Sequence, residues 1–129
     1  PAADQLARRF WPGALTMVLR PTAEGRLLTF AEYQTVAIRV PNLALLRKAI
    51  EASGVPWAST SANRSGEPPL IDGAAVVSAF DGRVELIVDA GRLPGIESTL
   101  VDATVLPVRV LREGAIKTES VLEALGLRV

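Results

Sequence analysis

Short apolar runs separated by polar, Gly- and Pro-containing segments recur along the chain and predict alternating strands and helices. Helical spacing of apolar residues predicts helices over residues 2–10, 42–53, 74–80 and from 118 onward. Asn42 is the predicted N-cap of the second helix. Continuous or β-branched apolar runs predict strands over residues 15–19, 35–40, 55–58, 84–88, 100–101 and 108–112. Residues 21–34 carry Pro, Gly and scattered charge, so we interpret them as a long excursion of the kind that forms lids.

The order of these elements predicts the fold class. Strands and helices alternate in the first part of the chain, which indicates parallel βαβ units. Three strands follow closely in the last part, which indicates antiparallel additions. We therefore expect an α/β (α+β) fold with a mixed parallel and antiparallel sheet flanked by helices. A chain of 129 residues fits one domain with a real core.

Composition narrows the chemistry. The chain has no Cys and no His, which excludes disulfides, thiolate nucleophiles, imidazole bases and His- or Cys-ligated zinc within it. Fourteen basic and fourteen acidic residues give zero net charge, so nothing calls for nucleic acid or an anionic membrane. There is no membrane-length apolar run and no signal-peptide pattern, and we expect a cytoplasmic protein. The remaining inventory of hydroxyls, carboxylates, Arg and Lys suits phosphate and nucleotide chemistry.

The most polar stretch of the sequence, residues 59–66, directly follows the apolar run 55–58. It carries four hydroxyls, one amide and one guanidinium in eight residues. Open α/β sheets hold ligands where polar segments leave the ends of strands. A polar turn would have the same composition, so the segment alone leaves both interpretations open.

Three further features could serve the same ligand. Arg39 alternates with apolar neighbours, which fits either a solvated face or a fixed fork for a carboxylate or phosphate. Ser98 and Thr99 open a strand after a glycine. Arg109 and Arg112 are three residues apart in one strand, which predicts opposite faces and makes Arg112, at the strand end, the better ligand candidate. If these strand ends converge on one edge of the sheet, a small anionic ligand with a hydroxyl or amide would fit them.

Five ordered segments carry a family resemblance. Residues 9–19, 35–41, 59–66, 95–102 and 110–116 resemble, in that order, the successive signatures of the YrdC-like threonylcarbamoyl-AMP synthases. The resemblance implies a twisted mixed sheet around a deep, positively lined groove. It also implies synthesis of threonylcarbamoyl-AMP and pyrophosphate from L-threonine, bicarbonate and ATP with Mg²⁺. In that family the product feeds threonylcarbamoyladenosine formation on tRNA, together with other tRNA threonylcarbamoylation proteins.

The resemblance also implies roles for individual residues. It assigns nucleotide contacts to Thr35, Ser61 and Arg112, the last on the phosphate of the adenylate. It assigns L-threonine contacts to Arg39, Ser59 and Ser98, and loop shaping to Asn63. It requires no catalytic protein nucleophile and no protein metal site, because a carbamate formed from threonine and bicarbonate can itself attack the α-phosphate.

The sequence departs from the family pattern at its start. The family's first strand, with its Pro-Thr-x-Thr-x-Tyr-Gly-like motif, and its Lys-x-Arg-like segment have no counterpart here. We therefore expect residues 1–129 to form a single, N-terminally truncated YrdC-like domain that is incomplete for activity. Three alternatives remain: a carbamoyl-adenylate-forming domain of a carbamoyltransferase, a non-catalytic double-stranded RNA-binding module, and a purely structural role, which the many hydroxyl-rich strand ends weigh against. Neutral charge weighs against the second, because RNA affinity rests on many Lys and Arg contacts.

Overall fold

The computed structural model describes residues 2–28 and 33–127. Its elements are α1 (Ala2–Phe10), β1 (Leu15–Leu19), a short 3₁₀ turn (Gly25–Leu28), β2 (Val36–Arg39), α2 (Ala44–Ser53), α3 (Gly73–Phe80), β3 (Thr99–Asp102), β4 (Arg109–Arg112) and α4 (Thr118–Ala124). They fall into two compact units, which we describe separately: residues 1–55 with 97–129, and residues 56–96. The excursion predicted for residues 21–34 lies partly outside the described residues, so its interpretation as a lid stays a prediction. No helix in the described ranges has the length and apolar character that a bilayer crossing requires.

The first unit is built on a four-stranded mixed sheet in the order β2-β1-β3-β4. The central pair β1 and β3 is parallel, whereas β1 with β2 and β3 with β4 are antiparallel. The predicted fold class is therefore confirmed. The interpretation of the early strands as a parallel βαβ unit is wrong, because β2 returns directly alongside β1, and an antiparallel pair needs only a return connection.

The core lies on one face of this sheet. Leu15 and Met17 of β1 and Val101 of β3 are buried there, since alternate residues of a strand face the same side. Leu6 of α1 and Val121 of α4 complete the buried cluster. Both helices thus cover the same face of the sheet, which leaves the opposite face for other groups.

The helix predictions are confirmed for all four helices, with one boundary corrected. The N-cap of α2 is Leu43, which makes no side-chain capping bond, and not Asn42. At its other end, Gly54 closes the helix in the left-handed conformation with φ of 69°, as glycine does most readily.

Two strand predictions are wrong. Residues 55–58 and 84–88 pair with no other strand in the part of the chain that the structure describes. Trp57, Leu86 and Val88 are at least half exposed along these segments. An apolar run reports hydrophobicity but not whether a hydrogen-bonding partner lies beside it.

The second unit contains α3 and the loops around it. The Asp72 carboxylate caps α3 by accepting a hydrogen bond from the Ala75 amide at 2.8 Å. The loops on either side are tied by backbone bonds from Leu93 N to Ile71 O and from Leu70 N to Ala62 O. The polar segment 59–66 therefore belongs to a unit organised by the N-terminal end of this helix.

Thr99 is a buried polar residue that ties the turn between β4 and α4 to the sheet of the first unit. Its hydroxyl donates to Ile116 O at 2.6 Å and accepts from the amides of Gly114 and Ile116 at 2.9 and 3.0 Å. The side chain is 0% exposed. One hydroxyl thus provides hydrogen-bond partners for three backbone groups, and water cannot take its place at this buried position.

We predict that Thr99→Val lowers the free energy of unfolding by at least about 2 kcal/mol, because it leaves two amides unpaired at about 1–3 kcal/mol each. Thr99→Ser keeps the hydroxyl and loses one buried methyl, which costs about 1 kcal/mol. Urea unfolding of the three proteins measures both values. Equal stability of Thr99→Val and the wild type would contradict this account of the turn.

Candidate functional site

The face of the sheet opposite the core carries a row of registered residues that is polar on three of the four strands. Cross-strand register places Arg39 of β2 beside Thr16 of β1, Thr16 beside Leu100 of β3, and Leu100 beside Arg112 of β4. Registered neighbours share a face. Two arginines therefore flank a central hydroxyl on one surface, which we call the polar face.

A pair of hydroxyls lies at the centre of the polar face. Thr16 Oγ1 and Ser98 Oγ are 2.7 Å apart, and either can donate. Ser98 is 9% exposed, so its hydroxyl is held in place. Sequence reasoning found Ser98 but missed Thr16, which was counted as one residue of an apolar strand. Thr16 lies between two apolar residues, Leu15 and Met17, and strand alternation places it on the face opposite to theirs.

Arg39 is held at one of its five N–H groups. Its Nε donates to Gly13 O at 2.9 Å, and the amide of Gly13 in turn donates to Val40 O at 2.8 Å. A side chain at Gly13 would collide with Phe10 O, so the close approach requires glycine there. Arg39 is exposed, and its terminal amino groups have no protein partner among the described residues. They are free to act as a fork for an oxyanion.

Arg112 is held at two of its N–H groups. Nη1 forms an ion pair with Glu97 Oε2 at 2.9 Å, and Nη2 donates to Ser98 O at 3.0 Å. The prediction that Arg109 and Arg112 point to opposite faces is wrong. A bulge beside Leu100 shifts the register, so Arg109 opposes Asp102 and Arg112 opposes Leu100, which share a face of β3.

The turn after Arg112 packs directly on the backbone before β3. Ala115 N donates to Glu97 O at 2.9 Å. A Cβ at Gly114 would lie 2.3 Å from Glu97 O, so only glycine allows this contact. The backbone carbonyls of Glu97 and Ser98 are therefore fixed by the turn that follows Arg112, and the site is built by residues far apart in sequence.

Glu113 clamps the same turn to the start of α4. Its carboxylate accepts hydrogen bonds from Lys117 Nζ at 2.8 Å and from the amide and hydroxyl of Thr118 at 3.0 and 2.7 Å. These bonds lower the pKa of Glu113 to about 2 and raise that of Lys117. The turn is thus held by a carboxylate that stays ionised at neutral pH.

The remaining predicted residues lie outside the polar face as the structure describes it. Thr35 is exposed immediately before β2, while Ser59, Ser61 and Asn63 belong to the second unit. Convergence of the 59–66 segment with the polar face, and the ligand roles of these four residues, stay predictions.

Asn63 organises its own loop. Its Nδ2 donates to Arg64 O and Glu67 O, both at 2.9 Å, which fixes the orientation of the amide because both partners are acceptors. Its Oδ1 is buried and lacks a partner among the described residues. Asn63 and Ser61 line a cavity of about 830 Å³ within the second unit. The predicted loop-shaping role of Asn63 is in keeping with these bonds and stays a prediction.

The described residues offer no cluster of three acidic or metal-binding side chains. The Glu97 carboxylate is paired with Arg112. The residues that the structure describes therefore do not fit a resident metal site.

Comparison with known proteins decides the family. The family model Sua5_yciO_yrdC, described as "Telomere recombination", matches residues 1–114. The chain belongs to the Sua5/YciO/YrdC family. The YrdC-like resemblance of its five motifs is thus confirmed, and the two arginines and the hydroxyl pair of the polar face all lie within the matched residues.

Among relatives of this Sua5/YciO/YrdC chain, the proteins named threonylcarbamoyl-AMP synthase from Pyrococcus abyssi and Bacillus subtilis are 41% and 42% identical to it. The alignments cover 96% of this chain but only 37% and 36% of those proteins. The chain thus spans little more than a third of their length.

Solved structures agree with the fold. The crystal structure of P. abyssi Sua5 complexed with L-threonine superposes with a TM-score of 0.85 at 41% identity, over 98% of this chain and 38% of that one. E. coli YciO superposes with a TM-score of 0.79 at 28% identity, over 92% of this chain and 58% of that one.

The Glu113 clamp predicts an acid-dependent loss of stability. Because the pKa of Glu113 is lowered from 4.5 to about 2 in the folded chain, its contribution is complete above about pH 4.5 and is lost as the pH falls toward 2. Urea unfolding should show Glu113→Gln less stable than the wild type at pH 7, with the gap narrowing between pH 5 and pH 3. Glu123→Gln, at an exposed position of α4, is the control. A gap that stays constant over this range would refute the clamp.

Proposed function

We propose that the chain forms the threonine- and phosphate-binding face of an L-threonylcarbamoyladenylate synthase, a nucleotidyltransferase. It would use L-threonine, bicarbonate and MgATP and release pyrophosphate. Its product would be used in the cytoplasm by the other tRNA threonylcarbamoylation proteins to form threonylcarbamoyladenosine on tRNA. The observation that carries the proposal is the polar face, where Arg39 and Arg112 flank Thr16 and the Ser98 hydroxyl is hydrogen-bonded to that of Thr16. Its support from outside is the similarity to a Sua5 protein that binds L-threonine.

Arg39 would bind the carboxylate of L-threonine. Its Nε is occupied by Gly13 O, so the guanidinium is already oriented and its terminal amino groups meet the ligand. A planar fork matches a carboxylate with two parallel, charge-assisted hydrogen bonds. Orientation before binding lowers the entropic cost of capture.

Ser98, supported by Thr16, would meet the polar groups of the bound amino acid. The two hydroxyls share one hydrogen bond, so the pair still has one proton to donate and lone pairs to accept. A small amino acid with its own hydroxyl and amino group complements such a pair, whereas an apolar side chain would leave these groups unpaired.

Arg112 would neutralise charge on the reacting phosphate. In the proposed step a carbamate oxygen attacks the α-phosphorus of ATP, an oxygen–phosphorus bond forms, and the bond to the bridging oxygen breaks to release pyrophosphate. The protein supplies no nucleophile, which fits a sequence without His or Cys. Fixed cations that face developing phosphate charge accelerate such a step by positioning and electrostatics.

The roles proposed for residues outside the polar face rest only on the family motifs. Ser59 would contact L-threonine, Thr35 and Ser61 the nucleotide, and Asn63 would shape the loop beside them. The cavity next to Ser61 and Asn63 has room for a small ligand group.

We predict that Arg39→Ala weakens L-threonine binding by about 10- to 100-fold, because it removes a charge-assisted bidentate contact worth about 1.5–3 kcal/mol. Calorimetric titration of L-threonine into the gene product that contains this chain measures the change. Arg109→Ala is the matched control, since Arg109 is an exposed arginine on the same face without a contact to Ser98.

Absence of L-threonine binding in the folded wild-type protein would contradict the proposal. A carbamoyl-adenylate-forming domain would then be supported by pyrophosphate release that depends on carbamoyl phosphate instead of threonine. A double-stranded RNA-binding module would be supported by RNA affinity that falls steeply with salt.

A further inference from the structure

Glu97 lies beside the proposed phosphate-binding arginine and has no role in the mechanism given above. Its Oε2 is 2.9 Å from Nη1 of Arg112. Its backbone carbonyl is fixed separately by the amide of Ala115 and by the close approach of Gly114. The side chain of Glu97 therefore extends from a rigid base toward the guanidinium.

The guanidinium of Arg112 is held at two of its five N–H groups. Nη1 meets Glu97 and Nη2 meets the carbonyl of Ser98 at 3.0 Å, so two anchored oxygens define the guanidinium plane. The other three N–H groups of Arg112 have no protein partner among the described residues. Because the guanidinium is planar, holding two of its nitrogens also fixes the directions of these three donors.

We propose that Glu97 is a positioning residue that orients Arg112 so that its unpaired N–H groups meet a phosphate of the bound nucleotide. Glu97 does not touch the ligand and acts only through Arg112. The proposal rests on the proposed function for the identity of the ligand, and it adds a determinant that motif comparison did not assign.

The size of the effect follows from exposure. The side chains of Arg112 and Glu97 are 44% and 51% exposed, so the ion pair itself is weak and screened. What Glu97 supplies is orientation, and misplacement of a binding group by a fraction of an ångström reduces its contribution without abolishing it. We expect Glu97→Ala to raise KM for ATP about three- to tenfold and to leave KM for L-threonine unchanged.

Steady-state kinetics of the gene product that contains this chain test the consequence. Glu97→Gln keeps an oxygen at the same distance and should restore most of the ATP affinity. Glu123→Ala removes an exposed glutamate from α4, on the core-facing side of the sheet, and should match the wild type. An unchanged KM for ATP in Glu97→Ala, or equal rises for ATP and L-threonine, would overturn the proposal. A lower KM for ATP would also overturn it, since Glu97 would then compete with phosphate for Arg112.

Two measurements that need no turnover separate this inference from the proposed function. Arginine side-chain ¹H–¹⁵N spectra should show resolved Nη signals for Arg112 in the wild type, because rotation of the guanidinium is restrained, and averaged signals in Glu97→Ala. Titration with inorganic pyrophosphate should shift the Arg112 signals, with affinity about three- to tenfold weaker in Glu97→Ala. If the wild type forms no threonylcarbamoyl-AMP, the proposed function fails and these two measurements decide the role of Glu97. Identical spectra and affinities in both proteins would refute it.

Discussion

The hydroxyl of Thr99 is the interaction on which the polar face depends. It is fully buried at the start of β3 and satisfies three backbone groups of the turn that follows β4. The same turn fixes the backbone carbonyl of Glu97, which accepts a hydrogen bond from the Ala115 amide. A hydroxyl pointing into the core thus determines where the backbone of the neighbouring polar residues lies, because a buried hydrogen-bond network tolerates little displacement.

Strand alternation then places adjacent residues on opposite faces of the sheet. Thr99 faces the core, as does its partner Leu15 in the parallel neighbour β1. Ser98 and Thr16, which are joined by a hydrogen bond, face the opposite side. The apolar face, with α1 and α4 packed on it, provides stability, and the other face carries Arg39, Arg112 and the hydroxyls of Thr16 and Ser98. Rigid strands hold a binding constellation more closely than loops do. The polar face therefore has the geometry of a preorganised site for a small anionic ligand.

Much of this could be predicted from sequence, and the failures have physical causes. Periodicity located the paired strands and all four helices, and the Ser98 and Arg112 motifs pointed to the polar face. The runs at 55–58 and 84–88 were mistaken for strands because hydrophobicity does not reveal a missing partner. A bulge placed Arg109 and Arg112 on one face, which residue counting cannot foresee. Thr16 was missed because its partner Ser98 is 82 residues away in the chain.

We propose that the polar face binds L-threonine through Arg39, and a crystal structure of the gene product with L-threonine would show this contact. We expect the threonine carboxylate on the terminal amino groups of Arg39, with Ser98 within hydrogen-bond distance of the same molecule. Density for L-threonine elsewhere, with Arg39 still solvated, would contradict it.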